Sequence, residues 1–412
     1  MSRILLLIPT TTYRAAAFME AAQRLQLEVV VGSDQRQVFS AMHPERSLAL
    51  DFQNPDRAVR QIADASNAKP FQAIVGVDDE TVILAAMANE ALGIKHNSVE
   101  SVRATRDKFL FREKLQISNL VSPHFELFSI ETPVEQLSQR INFPSVLKPT
   151  FLSGSRGVIR ADNAKEFADA FVQIRGILAD PEILRKGGDS AHHILVEDYI
   201  PGKEVALEGL LCEGELKLLA LFDKPDPLEG PLFVETIYVT PSRLPENIQD
   251  EIIYVTQQAA RGLGLHEGPI HAELRCNDRG IWPIEIAARS IGGLCSRVLE
   301  FSSGHSLEEL ILLHALGNEI QSGNRKKEAA GVMMIPVLKQ GILKGVSGKE
   351  QAMKITGINE LLISIPLNQE IEPLPRGDRY LGFIFAQGES PGLVEQALRE
   401  AYQCLEFEVT GE

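Results

Sequence analysis

Glu273 and Glu285 sit on two short strand-like runs, Pro269 to Arg275 and Ile281 to Arg289, that flank the turn-like Asn277-Asp278-Arg279-Gly280. Paired as a hairpin centred on Arg279, the runs set Glu273 opposite Glu285 and His271 opposite Ala287. Directly opposed side chains on antiparallel strands have Cβ atoms about 4.5–5.5 Å apart, and like charges there repel. Two carboxylates so placed need a cation between them. Mg²⁺, or Mn²⁺ in its place, seeks oxygen ligands and combines one or two carboxylates with substrate phosphates. The hairpin therefore reads as the metal end of a nucleotide site. Period-two alternation puts Glu285, Ala287 and Arg289 on one face, which brings a guanidinium beside the metal. Taken alone, the same residues also describe a surface hairpin with two solvated glutamates.

Lys148 closes the apolar run Pro144 to Leu147, five residues before Ser153-Gly154-Ser155-Arg156-Gly157. A cation beside a loop of small residues, whose N–H groups can close on phosphate oxygens, makes a phosphate clamp. The GxxxxGK[ST] spacing of a P-loop is absent, and an ordinary hairpin turn would use the same glycines. Glu197-Asp198-Tyr199-Ile200 ends a strand whose backbone groups suit an adenine edge, with Glu204 accepting from ribose hydroxyls. Its plainer reading is a strand end with a solvated acidic pair. Asp107-Lys108 is weaker, since charged pairs on helices usually face solvent. His271 reads equally as a phosphate or metal contact and as a packed, hydrogen-bonded histidine. Arg156, Arg297 and Cys295 lie near these motifs in sequence only, and no catalytic role is read for them.

The elements that must hold these residues follow from the hydrophobic pattern. At 412 residues the chain is too long for one core and implies two or three domains. A net charge of −15 argues against a sequence-independent grip on nucleic acid or anionic membranes. Cys212, Cys276, Cys295 and Cys404 show no CxxC spacing and read as free thiols in a reducing compartment. The apolar run Ile4 to Ile8 is too short for a signal core or a membrane span, so the chain reads as cytoplasmic.

Strands at 4–8, 28–32 and 73–77 alternate with helices at 13–26 and from Asp78-Asp79-Glu80 to about Leu92. That pattern predicts a doubly wound, Rossmann-like domain over 1–97. Its first turn, Pro9-Thr10-Thr11-Thr12, lacks GxGxxG, which makes a nicotinamide oxidoreductase improbable and leaves the strand ends free to meet a small substrate. A helical stretch from Ser98, a polar helix near 163–178 and paired antiparallel strands at 204–211 and 216–221 follow. The polar run Asn324 to Glu328 marks a boundary. Short strands and a helix near 391–404 beyond it predict a small α+β domain.

In order, Asp107-Lys108, Val146-Leu147-Lys148-Pro149, the Ser-Gly-Ser-Arg-Gly loop, Val196 to Glu204, Gly268 to Glu273 and Glu285 to Arg289 together resemble the ATP-grasp superfamily. They are most similar to the bacterial L-amino-acid ligase branch of its carboxylate–amine ligases. The resemblance spans the chain. It implies a Rossmann-like domain at 1–97, an ATP-grasp fold over 98–324 with a lid at about 145–203, and an α+β domain at 325–412. By the same resemblance Lys108 and Lys148 bind ATP phosphates under the 153–157 lid loop, Glu197 to Ile200 bracket the adenine, and Glu204 holds the ribose. Glu273 and Glu285 ligate Mg²⁺, and Arg289 lies against the transferring phosphoryl group or acyl intermediate. Ala287 departs from the asparagine of many relatives, so a second metal site would be water-completed or weak.

The implied reaction forms an amide or peptide bond between a small-molecule carboxylate and an amine, on amino-acid substrates, through an acyl phosphate, and a site of lysines, an arginine and Mg²⁺ without a base or nucleophile triad agrees with that chemistry. An ATP-grasp carboxylase or purine-pathway enzyme acting on bicarbonate or formate shares this machinery, and a non-catalytic ATP-binding protein shares part of it. Against a carboxylase stands the segment Ile286 to Gly293, which lacks an arginine- and glutamate-rich character. A homodimer is the commonest assembly for such a chain.

Overall fold

The computed structural model describes residues 2–35, 44–320, 325 and 328–411. Apolar strands with no polar face must be covered on both sides, and the first part of the chain does this. β1 (Arg3–Leu7), β2 (Glu28–Ser33), β3 (Ser47–Ala49) and β4 (Ala73–Gly76) form a parallel sheet in the order β3-β2-β1-β4. Helix Ala15–Arg24 joins β1 to β2, helix Pro55–Ala68 joins β3 to β4, and helix Val82–Leu92 follows β4. β1 pairs with β2 on one side and with β4 on the other, where the strand order reverses, so the ends of β1 and β4 open a crevice where Thr12 Oγ1 donates to Asp78 Oδ2 at 2.7 Å.

The lid is an antiparallel sheet of β5 (Phe125–Ser129), β6 (Ser145–Pro149), β7 (Ile159–Ala161) and β8 (His193–Asp198), ordered β5-β8-β6-β7. Helix Ala164–Leu178 lays Phe167, Phe171 and Ile174 on it at 3.6-residue spacing, with Asn163 as its N-cap. β5 precedes the span expected for the lid, because residues 125–129 supply the edge partner of β8.

Five further strands carry most of the site: β9 (Lys203–Cys212), β10 (Glu215–Asp223), β11 (Ile237–Thr240), β12 (Gly268–Asn277) and β13 (Gly280–Ala287). After them come β14 (Ala329–Pro336), β15 (Gly341–Ser347), β16 (Ile358–Ile363), β17 (Glu370–Ile371), β18 (Tyr380–Gly388) and β19 (Glu406–Thr410). One eight-stranded sheet runs β13-β12-β9-β10-β11-β14-β18-β16, so strands on both sides of the expected 324/325 boundary share a ladder. Residues 324, 326 and 327 of the boundary run lie outside the described residues. β15, β17 and β19 make a separate small sheet. Among the described residues no helix is long and apolar enough to cross a membrane.

Candidate active site

The sheets enclose a cleft of about 1440 Å³ between the lid, the eight-stranded sheet and the crevice of the first domain. Lys108, Lys148, Ser153, Gly154, Ser155, Arg156, Glu197, Asp198, Tyr199, Ile200, Glu204, Glu273, Glu285 and Arg289 all line it. Gly157 lies behind the lining. Its φ is +73°, and a Cβ there would meet Pro149 Cγ at 2.9 Å, so glycine is required for the loop to turn against β6.

The glutamate pair stands in the expected register, Glu273 opposite Glu285 and His271 opposite Ala287, by a route that alternation did not predict. The turn is the two-residue Asp278-Arg279, and the ladder above it pairs Leu274 with Pro283. A bulge at Ile284 then restores the glutamates to each other. Pro283 has no N–H to give, and β13 is the edge of its sheet, where proline is tolerated. Arg112 takes up the carbonyls of the bulge, donating from Nη1 to Pro283 O at 2.7 Å and from Nη2 to Ile284 O at 3.2 Å. β13 ends at Ala287, so Arg289 lies beyond the strand rather than on its alternating face.

Arg112 also builds the lid side of the cleft. Nε and Nη2 bond the two oxygens of Glu197 at 2.7 and 3.2 Å, and Lys148 Nζ reaches Glu197 Oε2 at 2.5 Å. All three side chains are buried. Burial alone would raise the Glu197 pKa, but the charges of Arg112 and Lys148 outweigh it and bring the carboxyl to about 2. The Glu197 side chain therefore faces two cations at the wall of the cleft. In the turn after β8, Tyr199 N–H donates to Pro144 O at 3.0 Å and Ile200 O accepts from Arg275 at 2.7 Å. What this turn leaves for a ligand is the Ile200 N–H, which has no partner among the described residues.

Lys108 opens helix Lys108–Ile117, capped by Asp107, whose side chain accepts from the N–H groups of Phe109 and Leu110. The pair is thus divided, one residue serving the helix and the other the cleft. Lys108 Nζ donates to Leu152 O at 2.7 Å and lies 3.3 Å from Glu285 Oε2. Across the hairpin, Glu273 Oε1 lies 3.1 Å from Lys224 Nζ and 3.6 Å from His271 Nε2. Burial pushes Glu273 upward, and the Lys224 charge with the His271 bond more than reverses this, holding it well below the carboxylate range.

Lys224 was not foreseen. It stands at the exit of β10 and binds Glu204 at 2.8 Å and Glu235 at 2.6 Å besides Glu273. Those three carboxylates lie close enough together to hold an ion, but an ammonium already occupies their centre. Arg275 Nε takes the other oxygen of Glu204 at 2.9 Å. Nothing short of the fold reveals this cluster, although the sequence Asp223-Lys224-Pro225 does mark a polar strand end.

The first domain contributes Asp79. Its Oδ2 accepts from Arg289 Nη2 at 2.9 Å, and its Oδ1 lies 3.1 Å from Arg106 Nη1. Burial opposes the charge on Asp79, yet the two guanidiniums hold its carboxyl far below the usual range. Arg289 Nε is buried without a hydrogen-bond partner among the described residues. Arg14, also buried, spans from Val77 O to Ser290 O and ties the crevice to the segment after β13. Arg297 pairs with Glu360 at 3.2 Å, whereas Cys295, read as near the motifs in sequence only, is buried and lines the cleft.

Glu273 and Glu285 each keep one carboxylate oxygen with no partner among the described residues, and His271 Nε2 lies 3.6 Å from the other oxygen of Glu273. That donor set fits Mg²⁺. Three family models match the chain: an ATP-grasp domain over residues 141–298, an ATP-grasp N-terminal domain over 19–95, and an L-amino acid ligase C-terminal domain 2 over 333–410. Dapdiamide A synthase of Enterobacter agglomerans is 28% identical over 353 residues, 81% of this chain and 80% of that protein. Alanine–anticapsin ligase of Bacillus subtilis (strain 168) is 26% identical over 60% of this chain and 57% of its own length. The crystal structure of L-amino acid ligase from Bacillus licheniformis superposes with a TM-score of 0.86 at 25% identity, covering 100% of this chain and 99% of the other. This chain therefore belongs to the ATP-grasp ligases and is an L-amino-acid-ligase-like member of them.

Proposed function

We propose that the cleft joins an amino acid, as carboxylate, to an amine that is itself an amino acid or a close analogue, with ATP and Mg²⁺. The observation that carries this reading is the glutamate pair in register, each member with an open oxygen, facing Lys108, Lys148 and the glycine-rich loop across one cleft. Glu273 and Glu285 would hold the metal, which neutralises charge on the phosphate oxygens. Lys108 and Lys148 would bind phosphates, the 153–157 loop would cover them, and the Ile200 N–H would meet the adenine edge. Asp198 and Tyr199 line the same wall, and Glu204 would hold ribose hydroxyls through its remaining lone pairs.

The substrate carboxylate attacks the γ-phosphorus, the bond to the β-phosphate oxygen breaks, and an acyl phosphate forms. The amine nitrogen then attacks the acyl carbon, and inorganic phosphate leaves with a proton. Arg289, fixed by Asp79 with Nε open, is placed to stabilise the transferring group. Its bond to Asp79 ties this side of the cleft to the first domain. The four free cysteines support a reducing, cytoplasmic setting, and a homodimer is the assembly proposed for it.

An ADP-release screen over pairs of amino acids, with mass detection of the condensed product, tests the assignment. Amide product at one equivalent per ADP is the expected result. ADP formation that depends on bicarbonate or formate and needs no amino acid would replace it with the carboxylase or purine-pathway reading.

A further inference from the structure

Residues 373–378, between β17 and β18, reach the glycine-rich loop of the lid from the C-terminal part of the chain. Gly157 N–H donates to Pro375 O at 2.9 Å, and Arg156 Nη1 lies 3.6 Å from Asp378 Oδ2. Arg156 and Asp378 both line the cleft. The loop is thus gripped from two sides, by Pro149 against Gly157 and by the 373–378 segment. A separate observation concerns Arg156 itself, whose Nε is buried with no hydrogen-bond partner among the described residues. A guanidinium offers five donors in a fixed fork, so one resting against a carboxylate with Nε open can take a further anionic oxygen. The Asp378 side chain is 51% exposed, which makes the pair weak enough to part and re-form.

We propose that the 373–378 segment is a latch for the lid, with Pro375 and Asp378 as positioning residues that hold Gly157 and Arg156 over the cleft. Arg156 then bridges Asp378 and the phosphoryl oxygens of the bound nucleotide. This rests on the ligase reading above, under which the latch governs how well water is kept from the acyl phosphate. No bond forms or breaks at Asp378.

Two measurements on the full chain test it, with Asp378→Ala, Asp378→Asn and Asp378→Glu. The ratio of ADP to amide product should rise about threefold or more in the first two, because leaked acyl phosphate is hydrolysed. The third should restore the wild-type ratio. Trypsin cleavage after Arg156, followed by mass spectrometry without any substrate, should be about fivefold faster in Asp378→Ala through easier local opening. Equal cleavage rates, or an unchanged ratio in all three variants, would overturn the latch. Faster cleavage in a protein that ligates nothing would uphold the latch and remove the ligase reading instead.

Discussion

Two carboxylate centres line the cleft, and they differ in what they leave open. On the lid, both oxygens of Glu197 are taken by Arg112 and Lys148, and all three side chains are buried. On the hairpin, Glu273 and Glu285 are each about a quarter exposed, at 21% and 26%, and each is met by a cation on one oxygen only. A buried carboxylate with both oxygens met by cations is scaffold. A half-open pair in register has capacity left for a ligand.

That contrast predicts where substitutions will hurt. Arg112→Met leaves Glu197 buried with one cation and strips the bulge carbonyls of their donors. It should cost about 3–5 kcal/mol of stability in urea denaturation. A loss near zero would make the lid centre no more structural than the hairpin. The pH dependence of stability carries the same information. Glu197 has a folded pKa of about 2 against an ordinary 4.5, so its contribution is complete above pH 4.5 and is lost as pH falls from 4.5 to 2. The full amplitude is about 3 kcal/mol, read as urea midpoints along that window, and Arg112→Met should flatten it.

The hairpin should respond in rate instead. Glu285→Ala is expected to lower ADP production with carboxylate, amine and ATP by about a hundredfold, ~2.7 kcal/mol in barrier, with an unchanged urea midpoint. Retention of more than about a tenth of the rate would remove Glu285 from the metal site. At the small end, Arg140→Ala breaks an exposed lid pair with Glu126 and should shift stability by no more than about 0.5 kcal/mol. A larger shift would mean that burial is not what separates the two centres.

Much of the fold could be read before any coordinates, because strands buried on both faces leave long apolar runs and amphipathic helices leave a 3.6-residue stripe. The parallel order of β1, β2 and β4, the lid helix over 164–178 and the pairing of β9 with β10 follow such patterns. The glutamates were readable for the same reason, since alternation within β12 and β13 narrows which residues can face each other. Ile284 shows how thin that reading was. Without its bulge, the two-residue turn would have set Glu273 against Ile284 and turned Glu285 to the other face.

Arg112 was unreadable because an arginine on a helix is ordinarily solvated, and it is the fold that buries it between Glu197 and the carbonyls of Pro283 and Ile284. Lys224 and Glu235 lie 38 or more residues from Glu273 in sequence, in a segment with no motif, and they converge on it only when β10 and β12 flank β9.

Local residue order dictated the strands, the helices, the glycine turn at Gly157 and the motif series that names the family, because each depends on spacing along the chain. Folding in three dimensions chose which charges would neutralise one another: Lys224 among three carboxylates, Arg112 beneath the lid, Asp79 against Arg289 and Asp378 against Arg156. Coulomb energy depends on distance and on the surrounding dielectric, and neither is written in the order of residues.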